Sequence, residues 1–116
     1  LPVSAPFHTA LMALAGDVLA EALEGIALKD PQVPVISNVN AQAQRQGSSI
    51  RSLLVQQIAA PVQWTACVGT MRTMGADRFV ECGPGKVLSG LIRRIDKGST
   101  CLTIESPEEL AAAIGA

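Results

Sequence analysis

The sequence has few aromatics. Phe, Trp and Tyr together make up 3% of its 116 residues, and there is no Tyr at all. It is also short of charge, with 16% Asp, Glu, Lys and Arg and a net charge of −1. The strong basic excess of a nucleic-acid-binding domain is therefore missing. No apolar run approaches the roughly 20 residues needed to span a bilayer, so no membrane segment is expected. Nor is there a signal pattern of basic start, apolar run and small-residue cleavage site. Cysteine is scarce and odd in number. Cys67, Cys82 and Cys101 show no CxxC spacing, which argues against a disulfide framework or a zinc site and for reduced, buried thiols in a cytoplasm. Histidine occurs once, at His8.

What is present is apolar and aliphatic. Ala, Val, Leu, Ile and their like bring the hydrophobic share to 48%, which suits helices packed on a sheet and excludes a disordered segment. The length allows one small domain with a modest core. The chain opens on Leu1 and runs directly into a Pro-bounded apolar stretch, as a piece of a longer protein would.

Helix and strand signals alternate. Residues 2–8 read as extended, because Pro2 and Pro6 disfavour helix at and before themselves. Thr9 is placed to cap a helix from about Ala10 to Glu24, with Leu11, Leu14, Ala15, Val18 and Ala22 as its buried stripe and Gly25 as its stop. Val35–Val39 is a β-branched run and reads as a strand, and the polar stretch from Asn40 to Gly47 as a loop. A helix then starts near Ser48, burying Ile50, Leu53, Leu54 and Ile58. Pro61 suits the first turn of the next helix, which buries Trp64, Cys67, Val68 and Met71 and ends at Gly75. Arg78–Cys82 is a second strand, Val87–Ile95 a helix, and Cys101–Ile104 a third strand. Ser106-Pro107-Glu108-Glu109 opens the last helix. The expected class is α/β, a three-layer, partial doubly wound and mostly parallel sheet with flanking helices. Three strands are few for such a sheet and would leave a raw edge, which again implies a missing half.

Candidate chemistry centres on His8, at a loop-to-helix junction where catalytic groups often sit. Histidine is the usual general base near neutral pH, but lone histidines are also commonly structural. Gly83-Pro84-Gly85 could offer backbone N–H groups to an anion. It lacks both GxGxxG spacing and a P-loop Lys-Ser/Thr, so a tight strand-to-helix turn is the better reading. Cys82 reads as a buried thiol without a basic partner. Lys86, Arg93, Arg94 and Lys97 make one helix end basic, either as a solvated face suited to the helix dipole or as a docking patch for an acidic partner. Spacing alone stops at an α/β domain with a candidate histidine site.

Four motifs in order carry a resemblance. LPVSAPFH at 1–8, PVISNV at 34–39, QQIAAPVQW at 56–64 and ECGPGKVLSGLIRRI at 81–95 are similar to the carboxyl-terminal part of bacterial malonyl-CoA:acyl carrier protein transacylases. Acyltransferase domains of fatty acid and polyketide synthases are more distant relatives. The resemblance spans residues 1–116 almost throughout.

It implies transfer of malonyl from malonyl-CoA to the phosphopantetheine thiol of acyl carrier protein through an acyl-serine, a step of fatty acid biosynthesis, with no cofactor. His8 matches the family's catalytic histidine, and Gln57 the glutamine whose backbone carbonyl accepts the imidazole N–H. Phe7 matches a position that accompanies malonyl use. Asn38 matches the family's strand near the site, as a substrate-site lining residue or, the better reading, a structural one. Arg93 and Arg94 match the region where carrier-protein docking is placed. The serine of GHSxG, the arginine that clamps malonyl, the oxyanion loop and the ferredoxin-like subdomain are not in this sequence. By itself the chain is expected to be inactive, with the amino-terminal part of the same enzyme as its required partner. The competing expectations are a non-catalytic carrier-protein-binding module and a purely structural remnant.

Overall fold

A computed structural model describes residues 5–115. They form two compact units, one running to Thr70 and the other from Met71.

In the first unit, a short 3-10 turn at Ala10–Met12 leads into helix α1, Ala13–Glu24. Strand β1, Val35–Ile36, pairs antiparallel with β2, Ala43–Gln44, with Val35 opposite Gln44 and Ile36 opposite Ala43. Helix α2, Gly47–Gln56, follows, and helix α3, Trp64–Thr73, begins in this unit. α1 packs on α2 through its small and mid-sized residues, with Gly16 close to Val55 and Leu23 buried. The Arg51 guanidinium donates to the carbonyls of Leu23 and Ile26, tying α2 to the end of α1. At the start of α2, the Gly47 N–H donates to Asp30 Oδ1 at 2.8 Å, a carboxylate placed where the helix dipole favours it.

The turn after β1 is fastened to α3 by backbone acceptors. The Asn38 carbonyl accepts from Gln63 N–H at 2.8 Å, and the Ser37 carbonyl from Cys67 Sγ at 3.4 Å. The Ala41 carbonyl accepts from Thr70 Oγ1 at 2.6 Å. Beneath this clamp lie Cys67 and Val68, at 1% and 0% exposure the most enclosed apolar side chains. Burial raises the Cys67 thiol above its ordinary pKa.

The second unit is one parallel β-α-β turn with a further helix. Strand β3, Arg78–Cys82, pairs with β4, Thr100–Ile104, from Arg78 opposite Thr100 to Cys82 opposite Ile104. Helix α4, Val87–Ile95, connects them, and helix α5, Pro107–Gly115, packs back on β4. Ile92 and Phe79 form its buried apolar centre. The α4–β4 turn is held by Asp96, which accepts from Ser99 Oγ at 2.8 Å and Gly98 N–H at 3.0 Å and pairs with Arg72 Nε at 2.5 Å. The Ser99 hydroxyl first, then the Gly98 N–H, keep its carboxyl below the usual range. α5 starts on the expected cap, with Glu109 N–H donating to Ser106 Oγ at 3.2 Å and Glu109 Oε2 accepting from Glu105 N–H at 2.6 Å.

Several expectations need correction. The strands do not share a sheet; the pairs β1–β2 and β3–β4 are separate, and only the second is parallel. The loop expected at 40–47 contains β2, which returns antiparallel because Ala41, at φ 57°, reverses the chain within a few residues. The helix expected to begin at Pro61 begins at Trp64. The supposed buried stripe of α1 is exposed, with Leu11 and Leu14 at 79% and Val18 at 68%. Cys82 is exposed at the end of β3, because alternate strand residues face opposite ways and the inward position there is Phe79. Among the described residues, no helix is long and apolar enough to cross a membrane.

Candidate active site

Residues 5–9 form a tight turn, not the extended segment that the prolines imply. Phe7 N–H donates to the Ala5 carbonyl at 2.9 Å, and the next residue, His8, has φ 58°. A left-handed backbone costs an ordinary L-residue roughly 1–2 kcal/mol, so surrounding contacts must hold it there. Residues 1–4, the start of the LPVSAPFH motif, lie outside the described residues.

One of those contacts comes from far along the chain. His8 Nδ1 lies 2.7 Å from the backbone carbonyl oxygen of Gln57. A carbonyl can only accept, so Nδ1 carries the proton and the lone pair of the neutral ring is left on Nε2. The carbonyl is available because Gln57 sits where α2 ends, among the acceptors that a helix terminus leaves unpaired. Helix geometry thus presents an oriented acceptor without adding a charge.

Next to Gln57 is a cleft of about 190 Å³, lined among others by Ile36, Asn38, Leu53, Leu54 and Trp64. The walls are mostly apolar, from the half-buried side of α2 and from β1. Trp64 also contributes a buried indole N–H that has no hydrogen-bond partner among the described residues. Phe7 is 54% exposed beside the histidine. Arg93 and Arg94 are exposed in the last turn of α4, in the second unit, and Arg93 donates to the Cys101 carbonyl at 3.2 Å.

The structure therefore brings His8 onto Gln57 and puts Asn38 on the same cleft as Gln57. The Gly83–Gly85 turn has its N–H groups occupied internally. Glu105 Oε1 accepts from Gly85 N–H at 2.5 Å, and Glu81 accepts from Leu88 and Ser89 N–H at 3.1 and 2.8 Å. The Ser89 N–H and hydroxyl, with Leu88 N–H, hold the Glu81 carboxyl below the usual glutamate range. An anion is thus already supplied by the chain, in keeping with a structural turn. Among the described residues, no group of three or more His, Cys, Asp or Glu side chains could hold a metal ion.

Comparison with known proteins adds what the geometry cannot. No protein-family model matches the chain. A malonyl CoA-acyl carrier protein transacylase of Escherichia coli is 45% identical over 114 residues, 98% of this chain and 37% of that protein. The chain is homologous to the carboxyl-terminal part of malonyl CoA-acyl carrier protein transacylases. It spans about 37% of the length of the curated relative just named. The crystal structure of the transacylase of Xanthomonas oryzae pv. oryzae superposes with a TM-score of 0.87 at 46% identity, covering 99% of this chain and 37% of that one. A second solved structure, a type II PKS acyl-carrier protein in complex with its malonyl-transacylase, gives 0.87 at 39% identity, with the same coverage.

The residue that sequence reasoning missed is Thr9. It was expected to cap the following helix, yet its side chain makes no cap hydrogen bond; its hydroxyl donates instead to the Pro6 carbonyl at 2.8 Å. Position before a helix suggests a cap, and only the turn geometry reveals the other acceptor.

Proposed function

We propose that this chain supplies the base side of a malonyl-CoA:acyl carrier protein transacylase, with the nucleophilic serine contributed by the rest of the enzyme. The observation that carries this reading is the 2.7 Å contact between His8 Nδ1 and the Gln57 carbonyl in a transacylase homologue.

In the first half-reaction, His8 Nε2 takes the proton from the serine Oγ as that oxygen attacks the malonyl thioester carbonyl. The C–S bond breaks, coenzyme A leaves as thiolate, and the imidazolium returns a proton to it. In the second, the phosphopantetheine thiol of acyl carrier protein gives its proton to Nε2 and attacks the acyl-serine ester. The serine oxygen departs and regains the proton. The Gln57 carbonyl stabilises the protonated ring and fixes its tautomer, as an aspartate does in hydrolase triads. It does so without a full negative charge beside the malonyl carboxylate.

Phe7, next to the base, would restrict space for an α-methyl branch. Asn38 would line the site. Arg93 and Arg94 would meet the acidic carrier protein by charge complementarity. No bound cofactor is needed, because both half-reactions are proton transfers and acyl substitutions. Three free cysteines suit a reducing cytoplasm. Lacking a GHSxG serine in its sequence, the chain alone would not form the acyl-enzyme.

The test is an assay of the complete polypeptide that carries this sequence, with radiolabelled malonyl-CoA and holo acyl carrier protein. Label should appear on the carrier protein with the polypeptide and not with residues 1–116 alone. Failure of the complete polypeptide to transfer malonyl would refute the proposal.

A further inference from the structure

We infer that Thr9 is a positioning residue for the histidine base. This inference rests on the reading of His8 just given and goes beyond it by naming what holds the ring in place from its own loop.

His8 adopts φ 58°, a conformation that does not persist unless its neighbours impose it. The Gln57 carbonyl holds the ring at one atom, and a second restraint acts on the backbone from within the turn itself. The backbone is fastened by Thr9. Its Oγ1 donates to the Pro6 carbonyl at 2.8 Å and closes a loop with Phe7 and His8 inside it. Two main-chain bonds flank the closure, Phe7 N–H to Ala5 O at 2.9 Å and Met12 N–H to Thr9 O at 3.0 Å. Pro6 adds stiffness at the acceptor residue, since its ring fixes φ.

The alternative role for Thr9 would be capping. With a backbone of φ −129° and ψ 164° it has the extended geometry of a cap residue, but no cap bond forms from its side chain. The hydroxyl is thus committed to the loop that carries His8. Its removal should leave the helix intact and let the histidine backbone relax toward ordinary φ, drawing Nε2 away from the reacting oxygen. Small misplacements of that kind slow chemistry more than binding.

The experiment uses the complete enzyme and the variants Thr9→Val, Thr9→Ser and His8→Ala. Thr9→Val keeps the shape and removes the donor. It should lower kcat roughly three- to tenfold, the scale of one lost hydrogen bond, with KM for malonyl-CoA and the thermal midpoint unchanged. Thr9→Ser, which retains the hydroxyl, should restore kcat. Thr9→Val with wild-type kcat, or with a kcat loss matched by a fall in thermal midpoint, would overturn the inference. Full activity in His8→Ala would instead remove the base assignment on which it rests.

Discussion

The Gln57 carbonyl oxygen accepts from His8 Nδ1 at 2.7 Å, joining the end of α2 to a turn 49 residues earlier in sequence. Because the acceptor belongs to the main chain, the side chain at this position should be dispensable. Gln57→Ala in the complete enzyme should reduce malonyl transfer by no more than roughly two- to threefold, the usual scale for an uncritical side chain. A loss as deep as that of His8→Ala would assign the role to the Gln57 amide.

Glu81 ties the end of β3 to the start of α4 through the Leu88 and Ser89 N–H groups. Its folded pKa is depressed, so the unfolded state binds the proton more readily. The stabilisation is present above the unfolded pKa of about 4.3 and is lost as pH falls through the lower, folded value. Glu81→Gln should lower the urea midpoint at pH 7. The gap from wild type should shrink as pH falls below the ordinary glutamate range and close once the folded-state carboxyl is protonated. A gap that stays constant with pH would show that charge at Glu81 is immaterial.

Gly47 begins α2 in a place where only glycine fits. A Cβ there would overlap the Leu28 carbonyl oxygen and come within 2.9 Å of Lys29 O, both of them backbone atoms. Gly47→Ala should destabilise the fold by about 1–3 kcal/mol, the range for overpacking against atoms that cannot rotate away. Urea denaturation reads this directly, and an unchanged midpoint would contradict the close approach.

Arg94 is exposed in the last turn of α4. If that basic end meets acyl carrier protein, Arg94→Glu should raise KM for the carrier protein roughly threefold or more. Added salt should shrink the difference, because exposed charges are screened over about 10 Å at 0.1 M. KM for malonyl-CoA should not move. An unchanged carrier-protein KM would remove Arg94 from the docking surface.

Much of this was legible in the sequence because local rules and tertiary structure agreed. Val87–Ile95 is a helix and Ser106 caps the one after it, as apolar spacing and cap chemistry require. Strands Arg78–Cys82 and Thr100–Ile104 lie where β-branched and apolar runs put them. Periodicity identifies an apolar face but not the surface that covers it, so Leu11, Leu14 and Val18 read as buried and are exposed. Nor does it give pairing partners, which is why Val35–Ile36 turned out to pair with Ala43–Gln44 and not with the later strands. At the candidate site, His8 stands out by its place before a helix, with its role implied by the resemblance. Gln57 was named through resemblance alone, because a backbone carbonyl acceptor leaves no mark in side-chain chemistry. The left-handed turn at His8 and the Thr9–Pro6 bond were not legible, since the prolines imply extension and a threonine before a helix implies a cap.

That His8 is the base is tested most directly by His8→Ala in the complete enzyme, measuring malonyl transfer to acyl carrier protein at saturating malonyl-CoA. A loss of roughly 10²–10⁴-fold in kcat, with thermal stability unchanged, is the result expected for removal of a general base. Transfer at the wild-type rate would contradict it.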